Sequence, residues 1–220
     1  MNTAGILSQQ ARELYSGAHG LGATLQTLRP YICPFEQILP LVPPGSHLLD
    51  AGCGAGLFLG LLAVNGRVAR GEGFDSSRPA IDLAQRMRPN LPSQAAIEFR
   101  LLDATAEWPG ADYDVVSLID VIHHVAPEYQ LAVLSRAIAR VRPGGLLLYK
   151  DMAQRPLWRA WCNRAHDLLM VREWIHYLPI GTVDDHMARQ GLRCVAKGAA
   201  SRYWYAHEWR LFEKQVSGTN

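Results

Sequence analysis

Two hydrophobic periods alternate along the chain: short continuous apolar runs, and longer stretches where apolar residues return every three or four positions. The first marks buried strands and the second amphipathic helices. His47-Leu48-Leu49-Asp50 reads as a strand running into Ala51-Gly52-Cys53-Gly54-Ala55-Gly56. Leu57, Phe58, Leu61 and Leu62 form the apolar side of the helix that follows. Positions 71–75 are a second, poorer strand. Ser76 or Ser77 is placed to cap a helix over 79–87, with Pro79 near its first turn. A third strand over 97–102 ends at Asp103, and a fourth over 114–119 is rich in β-branched residues. Leu131, Leu134, Ile138 and Val141 share the apolar side of a helix over 127–141. Arg142-Pro143-Gly144-Gly145 predicts a turn into a fifth strand over 146–149.

The two ends differ from this middle. Positions 3–29 carry a weak helical pattern at Ile6, Leu7 and Leu14, and 34–41 a short helix. The tail predicts a long helix over 156–172. A shorter helix over 182–190 has Thr182 and Asp185 spaced like a capping box, and Gly191 closes it. Strand-like runs at 192–197 and 203–212 are close enough for an antiparallel pair. The expected class is α/β: a doubly wound, mostly parallel, Rossmann-like sheet of seven strands. Helices cover both faces and an antiparallel hairpin ends the sheet. One domain over 1–220 is expected, with 1–30 as an arm or lid and 152–190 as a helical insert.

Composition narrows the class. Hydrophobic residues make up 49% of the 220 positions and charged residues 19%, so disorder over most of the length is not expected. Lys plus Arg number 22 against 20 Asp plus Glu, a net charge of +2. That balance offers no clustered positive charge for a phosphate backbone, and nucleic acid is not expected as a partner. Cys33, Cys53, Cys162 and Cys194 are scattered without zinc spacing, which points to a reducing cytoplasm and to no metal site. No basic-then-apolar leader opens the chain, and no apolar run approaches the ~20 residues that span a bilayer.

The glycine loop carries the candidate chemistry. Gly52, Gly54 and Gly56 allow a tight turn and close approach of backbone to a ligand, and the next helix begins with unpaired N–H groups. Position 57 is Leu, so the dinucleotide fingerprint fails at its third glycine. Asp50 precedes the loop instead, giving Asp-x-Gly-x-Gly-x-Gly. In this the sequence resembles the class I S-adenosylmethionine-dependent methyltransferases, over roughly 35–212. The resemblance includes Asp75 at the end of strand two, Asp103-Ala104 after strand three, Asp112-Tyr113-Asp114-Val115-Val116 leading into strand four, and the Arg-Pro-Gly-Gly segment.

The resemblance implies S-adenosylmethionine as cofactor, held by Asp50, Ala51, Gly52, Gly54, Gly56, Asp75, Ser76, Asp103, Ala104 and Asp120. Asp75 would take the ribose hydroxyls, for a carboxylate can accept two such protons at once. Asp103 would lie near the adenine amine and Asp120 beside the methyl group. Cys53, common at this position in the family, reads as a packing residue.

Methyl transfer is an in-line displacement whose main demands are alignment and exclusion of water. A hydroxyl acceptor must also lose its proton, and histidine suits that task. His123 and His124 directly follow strand four. Each is a candidate to line the site, with packing or capping as the alternative for His124. On the predicted 156–172 helix, Asn163 and His166 fall opposite the apolar stripe. His166 is the third catalytic candidate, and Asn163, Arg172 and His176 are candidates for substrate binding. In the family, the insert after strand five and the N-terminal segment commonly shape the acceptor site.

The leading reading is methylation of a small molecule, with a phenolic, quinone or polyketide-like hydroxyl first and N or C acceptors as alternatives. A non-catalytic cofactor-binding scaffold and a nicotinamide-dependent oxidoreductase also stay open. The missing third glycine counts against the oxidoreductase. The oligomeric state is not legible in the sequence.

Overall fold

In the computed structural model the described residues are 3–110, 112–153, 176–203 and 205–216. Seven strands run β1 (Ser46–Ala51), β2 (Val68–Asp75), β3 (Ala96–Leu101), β4 (Tyr113–Ile119), β5 (Val141–Met152), β6 (Leu192–Arg202) and β7 (Tyr205–Lys214). They hydrogen-bond in the order β3-β2-β1-β4-β5-β7-β6. The β1–β2, β2–β3 and β4–β5 pairs are parallel, whereas β7 is antiparallel to both β5 and β6. This is the doubly wound sheet with a terminal hairpin that the periodicity predicts. The chain divides into two compact units, 1–107 and 108–220.

In the first unit, β1 and β2 carry α4 (Leu57–Val64), whose residues are apolar on every side and buried from Leu57 to Ala63. β2 reads poorly as a strand because two of its positions are glycine, and the packing explains them. A Cβ at Gly71 would stand 2.8 Å from Leu59, and one at Gly73 would stand 2.9 Å from the Cys53 sulfur. The missing side chains let α4 and the loop before it lie directly on the strand. Helix α5 (Arg78–Met87) starts as expected: Ser77 is its N-cap and accepts from the Ala80 N–H, with Pro79 in the first turn. The N-terminal stretch forms α1 (Thr3–Leu14) and α2 (Leu21–Ile32), followed by the short α3 (Phe35–Ile38). Leu14 reaches to 3.0 Å from where a Gly60 Cβ would lie, so α1 packs closely on α4.

In the second unit, α6 (Pro127–Arg140) buries Gln130, Val133, Leu134, Ala137 and Ile138. Leu131, expected on the buried stripe, is exposed, and the polar Gln130 is inside instead. Helix α7 (Ile180–Arg189) is joined to α6 by a hydrogen bond between Ser135 and His186 at 3.0 Å. The expected capping box at Thr182 is absent. The helix starts two residues earlier, with Pro179 at the N-cap and no side-chain cap, so Thr182 already lies in its first turn. The Arg-Pro-Gly-Gly segment is no separate turn. It lies within the longer β5, where the register against β4 shifts and Gly144 takes a φ of 73°. The helix predicted over 156–172 lies outside the described residues, as do Asn163, His166 and Arg172.

Candidate functional site

The first unit holds a strand end followed by a tight loop. Gly52, Gly54 and Gly56 all have positive φ, at 71°, 55° and 82°, conformations that cost other residues about 1–2 kcal/mol. Asp75 closes the loop from the neighbouring strand end. Its Oδ2 accepts the Gly54 N–H at 2.9 Å and its Oδ1 accepts the Ser77 N–H at 2.8 Å. Each carboxylate oxygen has two lone pairs, so this half-buried group can hold the loop and still accept from a diol. Ser76 beside it is exposed. Asp103 is exposed, and its Oδ1 accepts from both the N–H and the hydroxyl of Thr105, at 2.7 and 2.6 Å. Ala104 next to it is half-buried. Asp50, by contrast, is buried within β1, as is Ala51. Burial, with the Asp50 and Asp75 charges adding to it, pushes the Cys53 thiol well above its ordinary range. Cys53 is therefore a neutral packing residue, as the sequence suggests.

The N-terminal helices also touch this loop. The Tyr15 hydroxyl, just past α1, donates to the Ala55 carbonyl at 2.7 Å. Burial raises the Tyr15 phenol against the opposing effect of Arg29, so it stays protonated and remains a donor.

The second unit gathers a polar cluster after β4. Asp120 directly follows that strand with a φ of 58°, an uncommon conformation for a residue other than glycine. Both of its carboxylate oxygens accept from the Lys150 ammonium, at 2.6 and 2.7 Å. Lys150 is fully buried. One strand position on, Asp151 takes the Nδ1 of His123 and accepts the Met152 N–H at 2.8 Å. It also accepts the His123 N–H at 3.3 Å and the Tyr149 hydroxyl at 3.4 Å. Burial and the Asp151 charge raise the Tyr149 phenol well above its usual range, which keeps it a donor.

Of the two adjacent histidines, the structure buries His123 to 1% exposure and leaves His124 exposed, the rings 4.1 Å apart. The turn that holds them is pinned by Gln130, whose amide nitrogen donates to the carbonyls of Ile122, Val125 and His176 at 3.0, 3.2 and 2.7 Å. His176 donates its own N–H to the His123 carbonyl at 2.8 Å. It thus supports the histidine turn through its backbone.

The sequence reading does not pick out Gln130, Lys150 or Asp151. A signal was present: Lys150-Asp151 breaks an apolar strand with adjacent opposite charges, and Gln130 takes a core position on an amphipathic helix. One atom each from Asp120, His123 and Asp151 lies within 4.8 Å of the others, a spacing compatible with a metal ion. The sequence led us to expect no metal set. Lys150 already sets a fixed positive charge on both Asp120 oxygens, so a cation there would meet a built-in one.

Residues 26–197 match the family described as methyltransferase domain. An uncharacterized 37.1 kDa protein in a transposon of Streptomyces fradiae is 32% identical over 154 residues, 68% of this chain and 40% of that protein. The ubiquinone biosynthesis O-methyltransferase of Chromobacterium violaceum is 31% identical over 112 residues, 49% of this chain and 45% of that protein. The chain thus spans less than half the length of these relatives. The crystal structure of magnesium protoporphyrin IX methyltransferase from Synechocystis with bound SAH has the same fold. It covers 97% of this chain and 95% of its own at a TM-score of 0.68 and 19% identity. The Asp-led glycine loop, the strand order and the match over most of the length agree. The chain is a member of the methyltransferase domain family, of the class I type whose cofactor is S-adenosylmethionine.

Proposed function

We propose that the chain transfers a methyl group to a hydroxyl of a small phenolic, quinone or polyketide-like molecule. His123 would receive the hydroxyl proton. The observation that carries this reading is the buried His123–Asp151 pair. A donor bond from Nδ1 to Asp151 assigns the ring's lone pair to Nε2, the atom that takes the proton. Asp151 is itself held by the Met152 and His123 N–H groups and the Tyr149 hydroxyl, so it keeps the ring in one orientation and favours the imidazolium that forms. Bound S-adenosylmethionine supplies an electrophilic methyl group on a sulfonium.

The first unit suits that cofactor on its own chemistry. The side of Gly54 that a Cβ would fill is open to 4.0 Å, and Asp75 can accept from a ribose diol. Asp50 contributes negative charge, and Asp103 with Ala104 and Ser76 stands at the strand ends where adenosine would lie. A relative named for O-methylation in ubiquinone biosynthesis supports an oxygen acceptor. His166, Asn163, Arg172 and His176 stay assigned to the acceptor side of a single domain over 1–220. The assignment of His166, Asn163 and Arg172 rests on the sequence.

The test is transfer of labelled methyl from S-adenosylmethionine to a panel of phenols and quinols. His123→Gln is expected to lower turnover about 10²–10⁴-fold, and Asp151→Asn less, with affinity for S-adenosylhomocysteine unchanged in both. Undiminished turnover in His123→Gln on every accepted phenol would remove the residue from the mechanism.

A further inference from the structure

Glycine spacing on β2 fixes which way its charged residues face. Gly71 and Gly73 turn toward Leu59 and Cys53, so alternation puts Arg70 and Glu72 on the opposite face of the sheet. The parallel register carries that face across the neighbouring strands. His47 on β1 stands level with Arg70, and Ala96 and Glu98 on β3 stand level with Arg70 and Glu72. Both faces of a parallel sheet are normally apolar and covered. Here Arg70, Glu98 and Arg100 are exposed and Glu72 is half-buried. These four residues line a cavity of about 200 Å³ together with Arg88, which directly follows α5.

The charges in this cavity do not cancel in place. Arg100 takes both acids, at 3.1 Å from Glu72 and 3.2 Å from Glu98, and His47 stands 4.0 Å from Glu72. Arg70 and Arg88 make no ion pair and no side-chain hydrogen bond among the described residues. Two guanidiniums on one cavity with no carboxylate left for them repel each other, and an anion between them turns that repulsion into attraction. Guanidinium forks match the oxygens of a phosphate in geometry as well as in charge. The volume is below the roughly 300–1,000 Å³ of drug-sized ligand pockets, which selects a compact ligand. The cavity is also separate from the glycine loop: Arg70 comes five positions before Asp75 on β2, about 16 Å away at the rise of a strand.

We infer that this cavity is a binding site for a compact phosphate-class anion, held between the Arg70 and Arg88 guanidiniums with Arg100 beside them. Glu98 competes with that anion for Arg100, so removing its charge strengthens the site. The assignment uses none of the residues given to the cofactor and holds whichever acceptor is methylated.

The experiment is calorimetric titration of the full chain, at constant ionic strength, with inorganic phosphate, pyrophosphate and phenyl phosphate. The tightest of the three is expected to bind with a Kd on the order of 0.1–1 mM. Phenyl phosphate in that place identifies an organic ester as the natural source, and pyrophosphate an inorganic or diphosphate one. Arg70→Gln combined with Arg88→Gln should weaken the tightest probe at least about tenfold and leave S-adenosylhomocysteine within about twofold of its original affinity. Glu98→Gln should tighten the same probe about two- to fivefold. No saturable binding up to ~10 mM, unchanged binding in the double variant, or no gain in Glu98→Gln would overturn the inference. Loss of S-adenosylhomocysteine in step with the phosphate probe would assign the two arginines to the fold instead.

Discussion

Alanine at two glycines of one loop should produce opposite defects. At Gly56 the φ is 82°, and a Cβ would stand 2.6 and 2.7 Å from Phe99 ring atoms and 3.1 Å from the Met87 methyl. Phe99 is a buried strand residue that cannot swing away. Left-handed strain of about 1–2 kcal/mol and overpacking of roughly 1–3 kcal/mol together cost about 2–5 kcal/mol. Against a typical stability of ~5–15 kcal/mol this is a large share. It corresponds to a fall in Tm of roughly 4–20 °C for a chain of this size. At Gly54 the φ is 55° and the nearest atom to a Cβ is the Arg29 nitrogen at 4.0 Å. Only the backbone strain applies, a loss of roughly 2–8 °C, but the added methyl enters the space assigned to the cofactor. Thermal unfolding by circular dichroism, with titration of S-adenosylhomocysteine, separates the two. Gly56→Ala should lose stability first, and Gly54→Ala should stay folded and lose affinity at least about tenfold. Equal Tm losses, or full affinity in Gly54→Ala, would refute the distinction between a packing glycine and a ligand-facing one.

Three other outcomes follow from the second unit. Lys150→Met should destabilise by about 3–5 kcal/mol, because it strips the countercharge from Asp120, and adding Asp120→Asn should recover most of that loss in urea unfolding. Gln130→Leu leaves three carbonyls without their shared donor. We expect a loss of about 1–3 kcal/mol, together with a fall in turnover at temperatures where the variant is still folded. Glu208 lies opposite Asp151 across the β5–β7 pair. Burial is the main cause of a carboxyl raised above its usual range; Arg210 opposes the shift, and the Asp184 and Asp151 charges add to it. A raised acid keeps its proton in the fold after the unfolded chain has lost it, so stability falls as pH rises out of the ordinary carboxylate range. Glu208→Gln should therefore raise Tm at pH 7, with the gain vanishing near pH 4 and below, as followed by unfolding across pH.

Much of the architecture was legible because it is local. A strand such as β4 announces itself by its β-branched run, and α5 by its Ser77 cap and its proline. Three glycines around a predicted turn, with Asp50 before them and Asp75 one strand later, are enough to place a tight strand-to-helix loop. The limits were equally physical. β2 reads as a poor strand because its glycines answer to Leu59 and Cys53, which press on them from another element. Thr182 looks like a cap because spacing alone cannot say where the helix begins.

The sequence by itself determined the order of strands and helices, the turn at the glycine loop and the acids at the strand ends, since each depends on neighbours a few residues away. Only the tertiary structure decided which of two adjacent histidines is buried. It also paired His123 with Asp151, 28 residues on, and Asp120 with Lys150, 30 residues on. Those pairs are set by how β4 and β5 align. Parallel register is a property of two strands brought together by a helix, and neither strand carries it alone.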